Sequence, residues 1–127
     1  MSIYVAGKYT SKDRLAVIRQ RLRQMGLVVT SSWLNEIYES DHDGRVTDDI
    51  RKENAMRDFV EVRLADTFLL DTFDESATGG REVELGMALT HGITCFRIGP
   101  YRNIFHTLVD NHFDSWDECI EWIARHW

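Results

Sequence analysis

The residues best placed to do chemistry lie in Thr78-Gly79-Gly80-Arg81-Glu82-Val83-Glu84-Leu85-Gly86-Met87-Ala88-Leu89, a glycine-hinged turn leading into a helix that carries Glu84. Paired glycines let backbone N–H groups approach a ligand closely. The start of a helix adds orphan donors and the positive end of the dipole, so the turn suits an anionic or polyhydroxy ligand. Val83, Leu85, Gly86 and Ala88 do not solvate a carboxylate, which makes Glu84 a costly residue unless something uses it. The alternative is a helix packed closely on a sheet, with Glu84 turned to solvent. Tyr4, in the first apolar run, and Asp58, in a later helical segment, are candidates for the same site. Two carboxylates and a phenol suit substitution at a sugar C1′. One carboxylate attacks the anomeric carbon, the other gives a proton to the leaving group, and the phenol holds the nucleophile in line. Taken singly, a tyrosine in a first strand is more often a core residue and an Asp on a helix is more often part of a solvated face.

Such a site needs a frame that gathers distant residues, and the chain supplies one. Ser2 to Ala6 reads as a buried strand, followed by the turn Gly7-Lys8-Tyr9-Thr10. Ser11 caps a predicted helix in which Leu15, Ile18, Leu22 and Met25 recur at helical spacing and Gly26 marks the end. Leu27 to Thr30 is a second predicted strand. From Ser31 to Asp49 the periodicity dissolves into Trp33, Tyr38 and an acidic run, long enough to be a lid or binding loop. Helix resumes near Asp48 and runs to about Ala65, and Asp66 to Asp71 is a third buried strand. The glycine-led helix follows, then a fourth strand over Ile93 to Ile98 that Gly99-Pro100 breaks. His112-Phe113 reads as a fifth strand, and Ser115-Trp116-Asp117-Glu118 as the capping box of a closing helix. This alternation predicts a single-domain, doubly wound (flavodoxin-like or Rossmann-like) α/β sheet, mainly parallel, of about five strands with helices on both faces. Ligands of such sheets sit beyond the carboxyl ends of the strands. That rule collects Gly7 to Thr10, the Trp33 loop, Asp71 to Gly80 and Gly99 to Asn103 on one edge.

At 127 residues the chain suits one domain, and its net charge of −6 lacks the basic excess expected for gripping polymeric nucleic acid or an anionic membrane. A small-molecule ligand and a soluble, cytoplasmic setting are the expectations. Cys95 and Cys119 form no CxxC pair and lie in apolar patterns, which predicts core thiols. Glu39-Ser40-Asp41-His42-Asp43-Gly44 superficially resembles a calcium loop, but Ile50 stands where the bidentate glutamate belongs, so a solvated acidic loop is expected. No metal or cofactor is expected. His42, His91, His106, His112 and His126 lack metal-ligand spacing, and neither GxGxxG after the first strand nor GxxxxGK is present. His106 alone falls close to the site, next to Asn103.

On these motifs the chain resembles the nucleoside 2-deoxyribosyltransferases and the related 2′-deoxynucleoside 5′-phosphate N-hydrolases. The resemblance runs from Ile3-Tyr4-Val5-Ala6-Gly7 through Asp58 and Ala65-Asp66 to Glu84-Leu85-Gly86-Met87-Ala88-Leu89, and implies one such domain over residues 1–127. It implies that Glu84 is the nucleophile forming a covalent deoxyribosyl ester, that Tyr4 orients it, and that Asp58 serves the nucleobase. Asn103, in Arg102-Asn103-Ile104-Phe105, falls where the transferases offer an asparagine to the sugar 5′-hydroxyl of a neighbouring subunit, which implies a homo-oligomer with shared sites. Thr78 departs from the transferases, which have an aspartate there, and matches the small hydroxyl residue with which the nucleotide hydrolases bind phosphate. Lys8, Thr10 and Arg81 lie near the turn that would face a 5′-phosphate, and both cations read equally as surface charges. Trp33 and Tyr38 are candidates for stacking a base. Gly7, Lys8, Tyr9, Trp33, Thr78, Gly80, Arg81 and Asn103 are thus the candidate binding residues. Transfer of the sugar between bases, hydrolysis of a 5′-monophosphate and ligand sensing without turnover are the three readings, in that order.

Overall fold

A computed structural model describes residues 1–35, 47–76 and 78–127, so Tyr38 and the acidic segment Glu39 to Gly44 lie outside the described residues. The described residues form one five-stranded sheet. Its strands are β1 (Ser2–Ala6), β2 (Val28–Val29), β3 (Thr67–Asp71), β4 (Thr94–Ile98) and β5 (Asn111–Phe113), ordered β2-β1-β3-β4-β5 and all parallel. The helices are α1 (Lys12–Gln24), α2 (Asp48–Leu64), α3 (Gly80–Thr90) and α4 (Trp116–His126). Right-handed crossovers put α1 on one face of the sheet and α2 and α3 on the other, and the closing helix α4 lies on the α1 side. An Arg21–Asp117 ion pair joins α1 to α4, and α2 and α3 pack on each other.

The central strands are apolar because both their faces are covered: Ile3 to Ala6 and all of β3 are buried. Strand β2 is shorter than the predicted Leu27 to Thr30, because it is the sheet's edge and Val28 is exposed. Helix ends follow local chemistry. Gly26 takes φ +84° just past α1, Thr47 accepts the Ile50 N–H at the start of α2, and Ser115 accepts the Glu118 N–H at 3.1 Å at the start of α4. Ser11 occupies the N-cap position of α1, but its side chain makes no cap bond and instead donates to the Asp74 carboxylate. Both cysteine thiols are free and buried, which pushes each up to about 12 and leaves them inert.

The strand order reverses between β1 and β3, since the chain leaves β1 toward β2 on one side and β3 toward β4 on the other. This opens a crevice at their carboxyl ends. Gly7 closes β1 at that point, where a Cβ would lie 2.6 Å from Leu15 Cδ1 and 3.5 Å from Asp71 Cβ. Glycine therefore lets the ends of β1 and β3 approach α1 closely. No helix among the described residues is long and apolar enough to cross a membrane.

Candidate active site

A cavity of about 140 Å³ lies at the β1/β3 crevice, lined by Gly7, Lys8, Tyr9, Trp33, Asp58, Ser76, Thr78, Gly80, Arg81 and Glu84. Its two carboxylates come from different helices. Asp58 projects from the middle of α2 and Glu84 from the second turn of α3, and the packing of those helices brings them to one wall. Asp58 is 24 % exposed and has the Arg57 guanidinium 3.9 Å away. Glu84 is half-buried, so the alternative of a carboxylate turned freely to solvent does not hold.

Tyr4 sits beneath them on β1, fully buried, with its ring stacked on Phe68 at 5.7 Å between centroids. Burial, then the charges of Glu84 and Asp58 and a hydrogen-bonding interaction with Glu84, push its phenol far above the ordinary range. The hydroxyl therefore stays protonated at every physiological pH, available as a donor to a carboxylate. Its oxygen nonetheless lacks a hydrogen bond of ordinary geometry among the described residues, so the contact with Glu84 is longer or more bent than usual.

The aromatic wall is fixed. Trp33 is 6 % exposed, donates its indole N–H to the Val5 carbonyl at 2.8 Å, and packs against Tyr9 at 6.4 Å. Trp33 is thus part of the core as well as of the cavity wall. The amino end of α3 also lines the cavity through Gly80 and Arg81. Gly79 takes φ +76° and no side chain caps the helix, which leaves its first amide groups to solvent or ligand.

Arg81 is not a surface charge. Only 3 % exposed, it donates to the carbonyls of Asp71 and Asp74 and to the Glu82 carboxylate, so most of its hydrogen-bonding capacity is committed to the protein. Asn103 is absent from the small cavity. Its side chain accepts the Phe105 N–H, capping a 3-10 turn at Ile104–Leu108, and its amide lies 3.5 Å from Glu82. It lines instead a larger, open cavity of about 880 Å³ with Lys8, Ser76, Arg81, Glu82, Tyr101 and Arg102. Lys8, Ser76 and Arg81 are common to both cavities, which makes them the boundary between the two.

The segment from Asp71 to Ser76 is clamped by three arginines that sequence reasoning gave no structural part. Arg14 holds Asp71 at 2.8 and 3.0 Å and reaches Asp74, Arg81 holds two carbonyls, and Arg102 donates to the carbonyls of Thr72 and Phe73. Asp71 also accepts the Trp116 indole N–H at 2.6 Å. Ser76, Glu82 and Tyr101 are further wall residues that carried no sequence signal, because each depends on a partner distant in the chain.

No protein-family model matches the chain, and no curated protein does. Solved structures do. A 2-deoxyribosyltransferase from Bacillus psychrosaccharolyticus aligns with a TM-score of 0.77 at 20 % identity, over 94 % of this chain and 90 % of that one. A CMP N-glycosidase from Clostridium botulinum aligns at 0.64 and 16 % identity, over 99 % of this chain and 100 % of that one. DNA processing protein A from Helicobacter pylori, described as binding single-stranded DNA, aligns at 0.64 and 11 % identity over 100 % of this chain and 81 % of that one. The chain shares the α/β fold of these proteins, including two that act on N-glycosidic bonds. At such identities the likeness is one of fold, and the side chains must argue the chemistry.

Proposed function

We propose that the chain cleaves the N-glycosidic bond of a 2′-deoxyribonucleoside and passes the sugar to another nucleobase. The observation that carries this reading is the meeting of Glu84 and Asp58 in one small cavity, with the neutral Tyr4 phenol beneath Glu84. In the first step a Glu84 oxygen bonds to C1′ as the C1′–N bond breaks, and the bond's electron pair leaves with the base. Asp58 supplies a proton, or a hydrogen bond, to the departing nitrogen. An incoming base then attacks C1′, its proton returns to Asp58, and the Glu84 carboxylate is regenerated. Tyr4 holds the nucleophile in line throughout, and Trp33 and Tyr9 flank the base.

A second reading, hydrolysis of 2′-deoxynucleoside 5′-monophosphates, is favoured by Lys8. Lys8 lines both cavities together with Ser76, whose hydroxyl lies 3.3 Å from that of Thr78 in the wall of the smaller one. Such a grouping suits an anion at the sugar 5′ position.

Both readings are tested by incubating the protein with each 2′-deoxynucleoside and its 5′-monophosphate, with and without a second free base, and following the products by chromatography. Exchange into a new nucleoside supports transfer, and free base appearing only from monophosphates supports the second reading. Glu84→Ala abolishes turnover while the thermal unfolding profile is kept. Full activity in that variant rules out the covalent route.

A further inference from the structure

Away from the reacting groups, His106 is fully buried at the junction of three segments, and nothing in the proposed chemistry employs it. Its Nδ1 accepts the backbone N–H of Arg102 at 3.2 Å, which leaves Nε2 to carry the ring proton and donate it to Glu82 Oε1 at 3.1 Å. The two bonds face opposite ways. Through Glu82 the ring is tied to the first turn of α3, two residues before Glu84, where Glu82 also receives Arg81 Nε at 2.9 Å. Through Arg102 it is tied to the segment after β3, since the Arg102 guanidinium donates to the carbonyls of Thr72 and Phe73 just ahead of Ser76 and Thr78.

We infer that His106 is a positioning residue for the substrate-facing segment, and that protonating its ring releases that segment and weakens substrate binding. The inference rests on the proposed nucleoside reading of the neighbouring cavity. A proton on Nδ1 converts an acceptor into a donor aimed at the Arg102 N–H, so two donors face each other and the Arg102 backbone must move. The guanidinium that clasps Thr72 and Phe73 moves with it.

The charged groups around the ring decide when this happens. From α3 it meets Glu82, which favours the proton, and Arg81, which opposes it. From β4 the Arg97 guanidinium, bonded to the His106 carbonyl at 3.1 Å, opposes it as well, and Arg102 lies on the segment before. Burial outweighs the rest and holds the ring below its ordinary pKa of 6.5, so it is neutral at pH 7. The unfolded chain takes up the proton first as pH falls. The ring's contribution to stability is therefore complete above 6.5 and is lost on descent through the lower folded value.

The test has two arms. Nitrogen-15 NMR of the histidine rings should show His106 as the Nε2–H tautomer at neutral pH, titrating below the ordinary histidine range. An Nδ1–H tautomer, or a ring charged at pH 7, overturns the inference whatever the enzyme's substrate. In the second arm KM and kcat are measured from about pH 8 to about pH 5 for the wild type and for His106→Gln, whose amide keeps a donor toward Glu82 but does not titrate. Loss of one such hydrogen bond predicts a wild-type KM rise of about three- to tenfold on acidification, with a flatter KM profile in the variant. The kcat profiles of the two proteins should run parallel. Identical KM profiles overturn the inference. Absence of turnover with every nucleoside and monophosphate overturns the proposed function instead, and the NMR arm still decides the state of the ring.

Discussion

Replacing Tyr4 by Phe separates catalysis from stability, because the same hydroxyl helps one and burdens the other. The ring is fully buried against Phe68, and its oxygen makes no hydrogen bond of ordinary geometry among the described residues. A buried hydroxyl with poor compensation costs about 1–3 kcal/mol, partly recovered here through its long-range interaction with the charged Glu84. Deleting the oxygen leaves the apolar contacts intact. The expected change in folding stability is between zero and about 1 kcal/mol in favour of the variant, or a rise in Tm of up to about 6 °C for a chain of this size. Catalysis moves the other way. A hydrogen bond to a charged group is worth about 1.5–3 kcal/mol, so if the phenol fixes Glu84 as it attacks, kcat falls about 10- to 150-fold. Thermal unfolding and steady-state kinetics on one preparation measure both. A Tm lowered by more than about 4 °C with turnover within about twofold of wild type would refute the reasoning, making Tyr4 a core residue with an ordinary structural bond.

Two glycines test the frame around the site. At Gly99, φ is +117° and a Cβ would lie 2.7 Å from Thr72 Oγ1 and 3.1 Å from the Phe73 nitrogen. Gly99→Ala should therefore cost about 2–4 kcal/mol in urea unfolding, through backbone strain and a clash that cannot relax cheaply. A change below about 0.5 kcal/mol would show that the Thr72 segment yields more readily than its clamps suggest. Gly80 is the opposite case, with nothing within 4 Å of an added Cβ and an ordinary φ, yet it lines the small cavity. Gly80→Ala should leave unfolding within about 0.5 kcal/mol of wild type and raise KM. An unchanged KM would place the ligand away from that wall.

The fold was readable because its signals are local. The apolar runs of β1, β3 and β4, the glycine after α1 and the serine before α4 each act within a few residues. That Glu84 and Asp58 line one cavity agrees with the expectation that their separation along the chain is no obstacle in an α/β fold of this kind. What escaped depends on partners far along the chain. Ser11 looks like a helix cap, and its hydroxyl goes to Asp74, 63 residues away. Arg81 looks like a phosphate ligand or a surface charge, and it is buried because the carbonyls of Asp71 and Asp74 need donors there. His106 looked merely adjacent to the site, since nothing in its surroundings in the sequence announces Glu82 or the Arg102 amide. Asn103 was expected at the sugar, whereas its cap on Phe105 and its place in the larger cavity depend on how the chain turns after β4.

The triple clamp on Asp71 to Ser76 bears on the speed of recognition. Arg14 from α1, Arg81 from α3 and Arg102 from the segment after β4 hold this stretch from three directions before any ligand arrives. A wall already ordered has little conformational entropy left to lose on association, and no slow rearrangement need follow encounter. On this side of the cavity a ligand meets a finished surface. Encounter there proceeds in a single kinetic phase, and differences in affinity among ligands are expressed mainly in how slowly each one leaves.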